Sequence, residues 1–157
     1  MRTSGKKMIP TNSIEGKMDY TRFDNTIVAR IDRGEEILTE LKKIALKENV
    51  RLARISALGA VGDFTVGVFH TAEKEYHANR FTGDWEIVSL TGSITRMNGE
   101  YYAHLHMSAG GTDGSVVGGH LNSATVSATC EMFITVLNGT VERRFDGEVG
   151  LNLFEFI

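Results

Sequence analysis

The sequence predicts an α+β domain: a mostly antiparallel β-sheet, barrel-like or sandwich, with one principal helix at about residues 32–49. Three observations carry this expectation. One segment, DRGEEILTELKKIALKENV at 32–50, repeats its apolar residues at helical spacing. Nearly everything after it is rich in β-branched and aromatic residues that alternate at period two. Turn pairs, Asn98-Gly99, Asn138-Gly139 and Asp146-Gly147, punctuate those runs, and Asn-Gly is a strong hairpin signal.

The chain opens with a polar stretch, residues 1–20, that holds its only proline, Pro10. It is expected to be an N-terminal arm ahead of a single domain at 21–157, since 157 residues with 41% hydrophobic content suit one core. In the helix, Asp32 is placed to cap the N-terminus with Glu35 three residues on, and Ile37, Leu38, Leu41, Ile44 and Ala45 form one stripe. The strands expected after it are RLARISALGAV, FTVGVFHT, WEIVSLTGSITRM, YYAHLHMS, TVSATCEMFITVL, TVERRF and LNLFEF.

Charge argues against a broad nucleic-acid surface. Seventeen basic residues are scattered among 20 acidic ones, for a net charge of −3. The one basic cluster, Arg2, Lys6 and Lys7 with Lys17 beyond, lies in the arm. No apolar signal region and no run of about 18 apolar residues is present, and Cys130 stands alone, so a cytoplasmic protein with no membrane span is expected.

The stretch HLHMSAGGTDGSVVGGHL at 104–121 carries the chemistry. In a strand, Tyr101, Ala103, Leu105 and Met107 face the core, so His104 and His106 project together from the opposite face, about 7 Å apart at their Cα atoms. The intervening glycines let the chain return tightly and bring His120 beside them. Three neutral imidazoles suit a divalent transition metal, Zn, Ni or Fe first, and leave a coordination position open. The same segment matches no phosphate-binding glycine pattern. His70 and His77 flank AEKEY, a hairpin tip, and are read as solvated. Cys130 shares the parity of Val126, Ala128, Met132 and Ile134 and is read as core, while Glu86 and Glu131 are open to a role as outer ligand or general base.

Three stretches in order, GDWEIVSLTGSI at 83–94, HLHMS at 104–108 and VVGGHL at 116–121, resemble the PPC domain, the plant and prokaryote conserved domain. The RGEEIL segment and SALGAV at 56–61 extend the resemblance over about Ile27 to Phe156. It implies an antiparallel α+β fold and a homotrimer. In plants the domain follows AT-hooks and mediates association with other proteins; prokaryotic single-domain members carry a DNA-binding label through that kinship. This chain departs twice. The AT-hook core Arg-Gly-Arg-Pro is absent, and the family's GRFEI or GPFEI reads GDWEI, with Asp84 where plant members often carry Arg. The expected role is therefore an oligomeric interaction or regulatory module with protein partners and a metal at His104, His106 and His120, touching DNA weakly or indirectly. The alternative is a metal-dependent enzyme that uses metal-activated water.

Overall fold

The computed structural model describes residues 18–156. Strands β1 (Asp19–Phe23) and β2 (Thr26–Asp32) precede helix α1 (Ile37–Lys47). Then come β3 (Ala53–His70), β4 (Glu75–Met97), β5 (Glu100–Gly110), β6 (Val116–Val136), β7 (Glu142–Asp146) and β8 (Leu151–Glu155). Residues 1–17 of the expected arm lie outside the described residues, whereas Asp19 and Tyr20, placed with that arm, open β1.

Every pairing is antiparallel. The main sheet runs β1-β2-β6-β3-β4-β5, and β5 also pairs with β6, which closes β3, β4, β5 and β6 into a partial ring. β7 and β8 form a separate hairpin. The α+β expectation of a mostly antiparallel sheet with one helix holds, and the sheet is partly ringed.

α1 lays Ile37, Leu41, Ile44 and Ala45, all buried, against β5 and β6. It is shorter than the expected 32–49. Gly34 turns at φ +89° and donates to the Val126 carbonyl, and the Glu35 carbonyl accepts from Val126 N–H. These bonds tie residues 34–36 to β6, so their backbone cannot join the helix. Asp32 instead ends β2, and Glu36 is the N-cap, accepting from Leu38 N at 3.2 Å and Thr39 N at 2.7 Å. Glu35 still accepts from Asp32 N at 2.8 Å, half of the expected reciprocal pair. At the other end Asn49 is left-handed at φ +51°, and Val50 N donates to Ala45 O while Asn49 N donates to Leu46 O, a Schellman closure.

The core is built by alternation. Ile27, Ile31, Ile55, Phe64, Leu90, Ile94, Leu105, Met107, Met132 and Ile134 are fully or almost fully buried. Phe64 stacks on Phe81 at 5.3 Å between ring centroids and meets the edge of Trp85 at 5.6 Å, so the Trp of GDWEI anchors packing. Asp84 and Glu86 beside it are exposed.

The strands differ from expectation in several places: β1 and β2 stand where none was expected, β4 starts at Glu75 rather than Trp85, and β6 starts at Val116 rather than Thr125. RLARISALGAV and FTVGVFHT are one strand, β3, whose register slips beside Leu58 and Gly62 without breaking it. A bulge in β6, opposite Ala60, also throws Ala128 out to solvent although it shares the parity of buried Cys130. Asn98 and Gly99, both at positive φ, make the expected two-residue hairpin between β4 and β5. Asn138-Gly139 does not make a hairpin, because the chain leaves β6 there and β7 pairs with β8 instead. Among the described residues no helix is long and apolar enough to cross a membrane.

Candidate metal centre

The ring closure assembles the histidines. β5 presents His104 and His106 on the face opposite buried Leu105 and Met107, and β6 pairs so that His106 stands directly across from His120. This pairing demands glycine. A Cβ on Gly118 would sit 2.7 Å from the Met107 carbonyl oxygen, and one on Gly119 would sit 2.5 Å from that of Gly67 in β3. Gly92 plays the same part behind His104, where a Cβ would lie 2.1 Å from that residue's own carbonyl oxygen. The glycines that the sequence offered as a flexible return are mainly needed for close strand approach.

His104 lies 5.1 Å from both His106 and His120 between ring centroids, and His106 lies 5.6 Å from His120. One donor nitrogen from each falls within 4.8 Å of the others. A tetrahedral ion with bonds of about 2.0–2.1 Å needs donors roughly 3.4 Å apart, so the three rings would draw closer around it. The donor chemistry fits as well. Burial, then the neighbouring His120, Arg143 and His106, lowers the His104 pKa to about 4, and burial followed by His106 lowers that of His120. Both rings are thus neutral near pH 7 and keep a lone pair for an ion.

The three rings open onto a cavity of about 770 Å³. Its far wall is the β7–β8 hairpin, with Arg143, Leu151, Asn152, Leu153 and Phe154, and β3 adds Val68 and Phe69. Arg143 is only 7% exposed. Its Nε donates to Thr95 Oγ1 and one Nη to the Asn152 carbonyl, each at 2.8 Å, and its guanidinium lies over the rings of Tyr102 and Phe154 at 4.7 and 4.5 Å. Tyr76 meets His120 edge-on at 6.0 Å and donates its hydroxyl proton to Asn122.

The structure gathers His104, His106 and His120 but leaves the two carboxylates elsewhere. Glu86 pairs with Ala60 and Gly110, Glu131 pairs with Arg30 and Leu58, and no Asp or Glu among the described residues lines the cavity. Cys130 is in the core with its thiol pushed up to about 12 by burial and then by Glu131, so it is no nucleophile. His70 and His77 flank the β3–β4 turn as expected, about half exposed and 4.5 Å apart. Sequence reading missed Arg143. No local signal separates it from solvent-facing Arg144, since Phe145, at the same parity, is exposed.

Acid should weaken the folded state through this cluster. Between the ordinary His pKa of 6.5 and about 4, the unfolded chain takes up a proton at His104 that the folded chain refuses. Stability of chelator-treated protein should therefore fall as pH drops through that window. A His104→Gln variant should flatten the dependence of the urea midpoint on pH, and an unchanged slope would remove His104 as its source.

Residues 18–138 match the model of the Plants and Prokaryotes Conserved (PCC) domain. Among solved structures, a candidate DNA-binding protein from Bacteroides thetaiotaomicron is 29% identical with a TM-score of 0.86, covering 88% of this chain and 97% of its own. A metal-containing protein from Archaeoglobus fulgidus is 31% identical with a TM-score of 0.79, covering 89% and 97%. A plant- and prokaryote-conserved protein from Pyrococcus horikoshii is 31% identical with a TM-score of 0.76, covering 90% and 96%. Among curated proteins none matches the chain. With its ring, its helix and its ordered motifs in place, the chain belongs to the Plants and Prokaryotes Conserved domain family.

Proposed function

We propose that this protein is a cytoplasmic, homotrimeric interaction or regulatory module that holds one divalent metal ion on His104, His106 and His120. The observation that carries the metal is the convergence of three imidazole donors within 4.8 Å at the mouth of a cavity. When bound, the ion would supply a Lewis-acidic position facing that cavity, with neutral His104 and His120 ready to hold it. The metal-containing relative from Archaeoglobus fulgidus supports this reading.

Self-association is supported by an exposed apolar face. Phe23, Leu58, Val88 and Phe133 are each 50% or more exposed, and Phe133 borders two adjoining clefts across β1, β2, β3, β4 and β6. Exposed large side chains grouped in this way favour burial against another copy. The related candidate DNA-binding protein does not lend this chain a strong duplex surface. α1 carries Glu36, Glu40 and Glu48 against Lys42, Lys43 and Lys47, and Glu40 and Lys43 neutralise each other at 2.6 Å. DNA contact by the isolated protein is weak in this reading, and partner proteins mediate what association occurs.

One observation favours a second reading, a metal-dependent enzyme: the cavity leaves room for a substrate in front of the three donors. Against it, no carboxylate among the described residues lines the cavity to take a proton from metal-bound water.

Metal analysis of protein purified without an affinity tag or added metal should give about one divalent ion per chain. His104→Ala and His106→Ala should each lose most of it, with further loss on acidification; full occupancy in both variants overturns the site. Sedimentation at micromolar concentration should give three chains of 17.3 kDa. Phe133→Glu should dissociate them, whereas a monomeric wild type removes the assembly. By fluorescence anisotropy at about 150 mM salt, random and A·T-rich duplexes should bind alike with a Kd no tighter than ~10⁻⁶ M. Nanomolar binding that separates the two would restore direct DNA recognition.

A further inference from the structure

Arg143 is the least expected group in the molecule. A guanidinium 7% exposed would ordinarily face a carboxylate, because an unpaired buried charge is costly. Among the described residues Arg143 forms no ion pair, its hydrogen bonds go to a neutral hydroxyl and a neutral carbonyl, and Nη2 has no partner at all. Both rings it lies over, Tyr102 and Phe154, line the same cavity as the histidines. The half-exposed Phe154, on the surface hairpin, is the less confined of the two.

We infer that the cavity binds an organic acid, whose carboxylate pairs with Arg143 and whose apolar body lies against Phe69, Leu151, Leu153 and Phe154. The planar guanidinium matches a carboxylate in shape and charge. Among the described residues Arg143 is the only Lys or Arg lining the cavity, so one negative charge is matched and a phosphate dianion is not. The apolar walls select a hydrocarbon body, and the volume of about 770 Å³ falls in the range of small-molecule sites. Nη2 is buried, and the half-exposed Phe154, stacked over the guanidinium at 4.5 Å, is the side chain that would turn aside for a carboxylate to reach it. The inference rests on the reading of this cavity as the functional site but does not need the metal. The family model ends at residue 138, so the hairpin that brings Arg143, Leu151 and Phe154 lies beyond it.

Octanoate, octan-1-ol and inorganic phosphate should be titrated into chelator-treated and metal-loaded full chain by calorimetry. Octanoate should bind at least tenfold tighter than octanol in both preparations, and phosphate should give no heat. Arg143→Gln should abolish the preference for acid over alcohol, and Arg143→Lys should retain part of it. Because Arg143 also braces Thr95 and Asn152, wild-type protein supplies an independent readout. The Arg143 Nε–H resonance should move with octanoate and stay fixed with octanol. Equal binding of acid and alcohol, absence of octanoate binding, an unmoved resonance, or tighter phosphate binding each overturns the inference. Chelator-treated protein separates the two readings: loss of acid binding leaves metal occupancy untouched, and absence of metal leaves acid binding standing.

Discussion

The antiparallel contact between the end of β5 and the start of β6 is the constraint on which the site depends. It sets His106 opposite His120, and through the alternation of β5 it brings His104 alongside. β3 presses on the same place, with Gly67 opposite His120, so three backbones converge where side chains would keep them apart. Gly118, Gly119 and Gly92 answer that demand by lacking a Cβ. The cavity follows from the same closure, because the histidine wall stands across from the hairpin β7–β8.

Electrostatically the cavity is one-sided. Three imidazoles and a guanidinium share a space that no carboxylate among the described residues lines, and burial together with mutual proximity keeps His104 and His120 neutral. Arg143 itself has a lowered pKa through burial but stays charged near neutral pH. The neutral imidazoles offer electron pairs to a cation, and the guanidinium offers N–H donors to an anion.

Much of this was legible in the sequence, for definite reasons. Period-two alternation separates core Leu105 and Met107 from His104 and His106 without any tertiary information, and the helical stripe of α1 is equally local. The helix start was misplaced because Gly34 and Glu35 bond to β6, a partner far away in the chain. Asn138-Gly139 carried the right residues for a hairpin and the wrong surroundings, since β7 finds its partner in β8. The span of β3 was hidden by Gly62 and Asp63, which resemble a turn but form a bulged strand. Arg143 was hidden most deeply. Nothing near it distinguishes it from Arg144 except which side of a five-residue strand faces the hairpin's interior.

The seam between β5 and β6 is short, from His106 to Gly110 on one side and Val116 to His120 on the other, whereas β3 and β4 pair along almost their whole length. Rings open where fewest bonds resist, so this seam is the place for the lowest-energy local opening. The histidines sit at its inner end. Whatever bridges His106 to His120 raises the free energy of opening by as much as it prefers the closed state. Occupancy of the centre and breathing of the ring are therefore a single equilibrium, and a ligand at the histidines is felt by strand amides that it never touches.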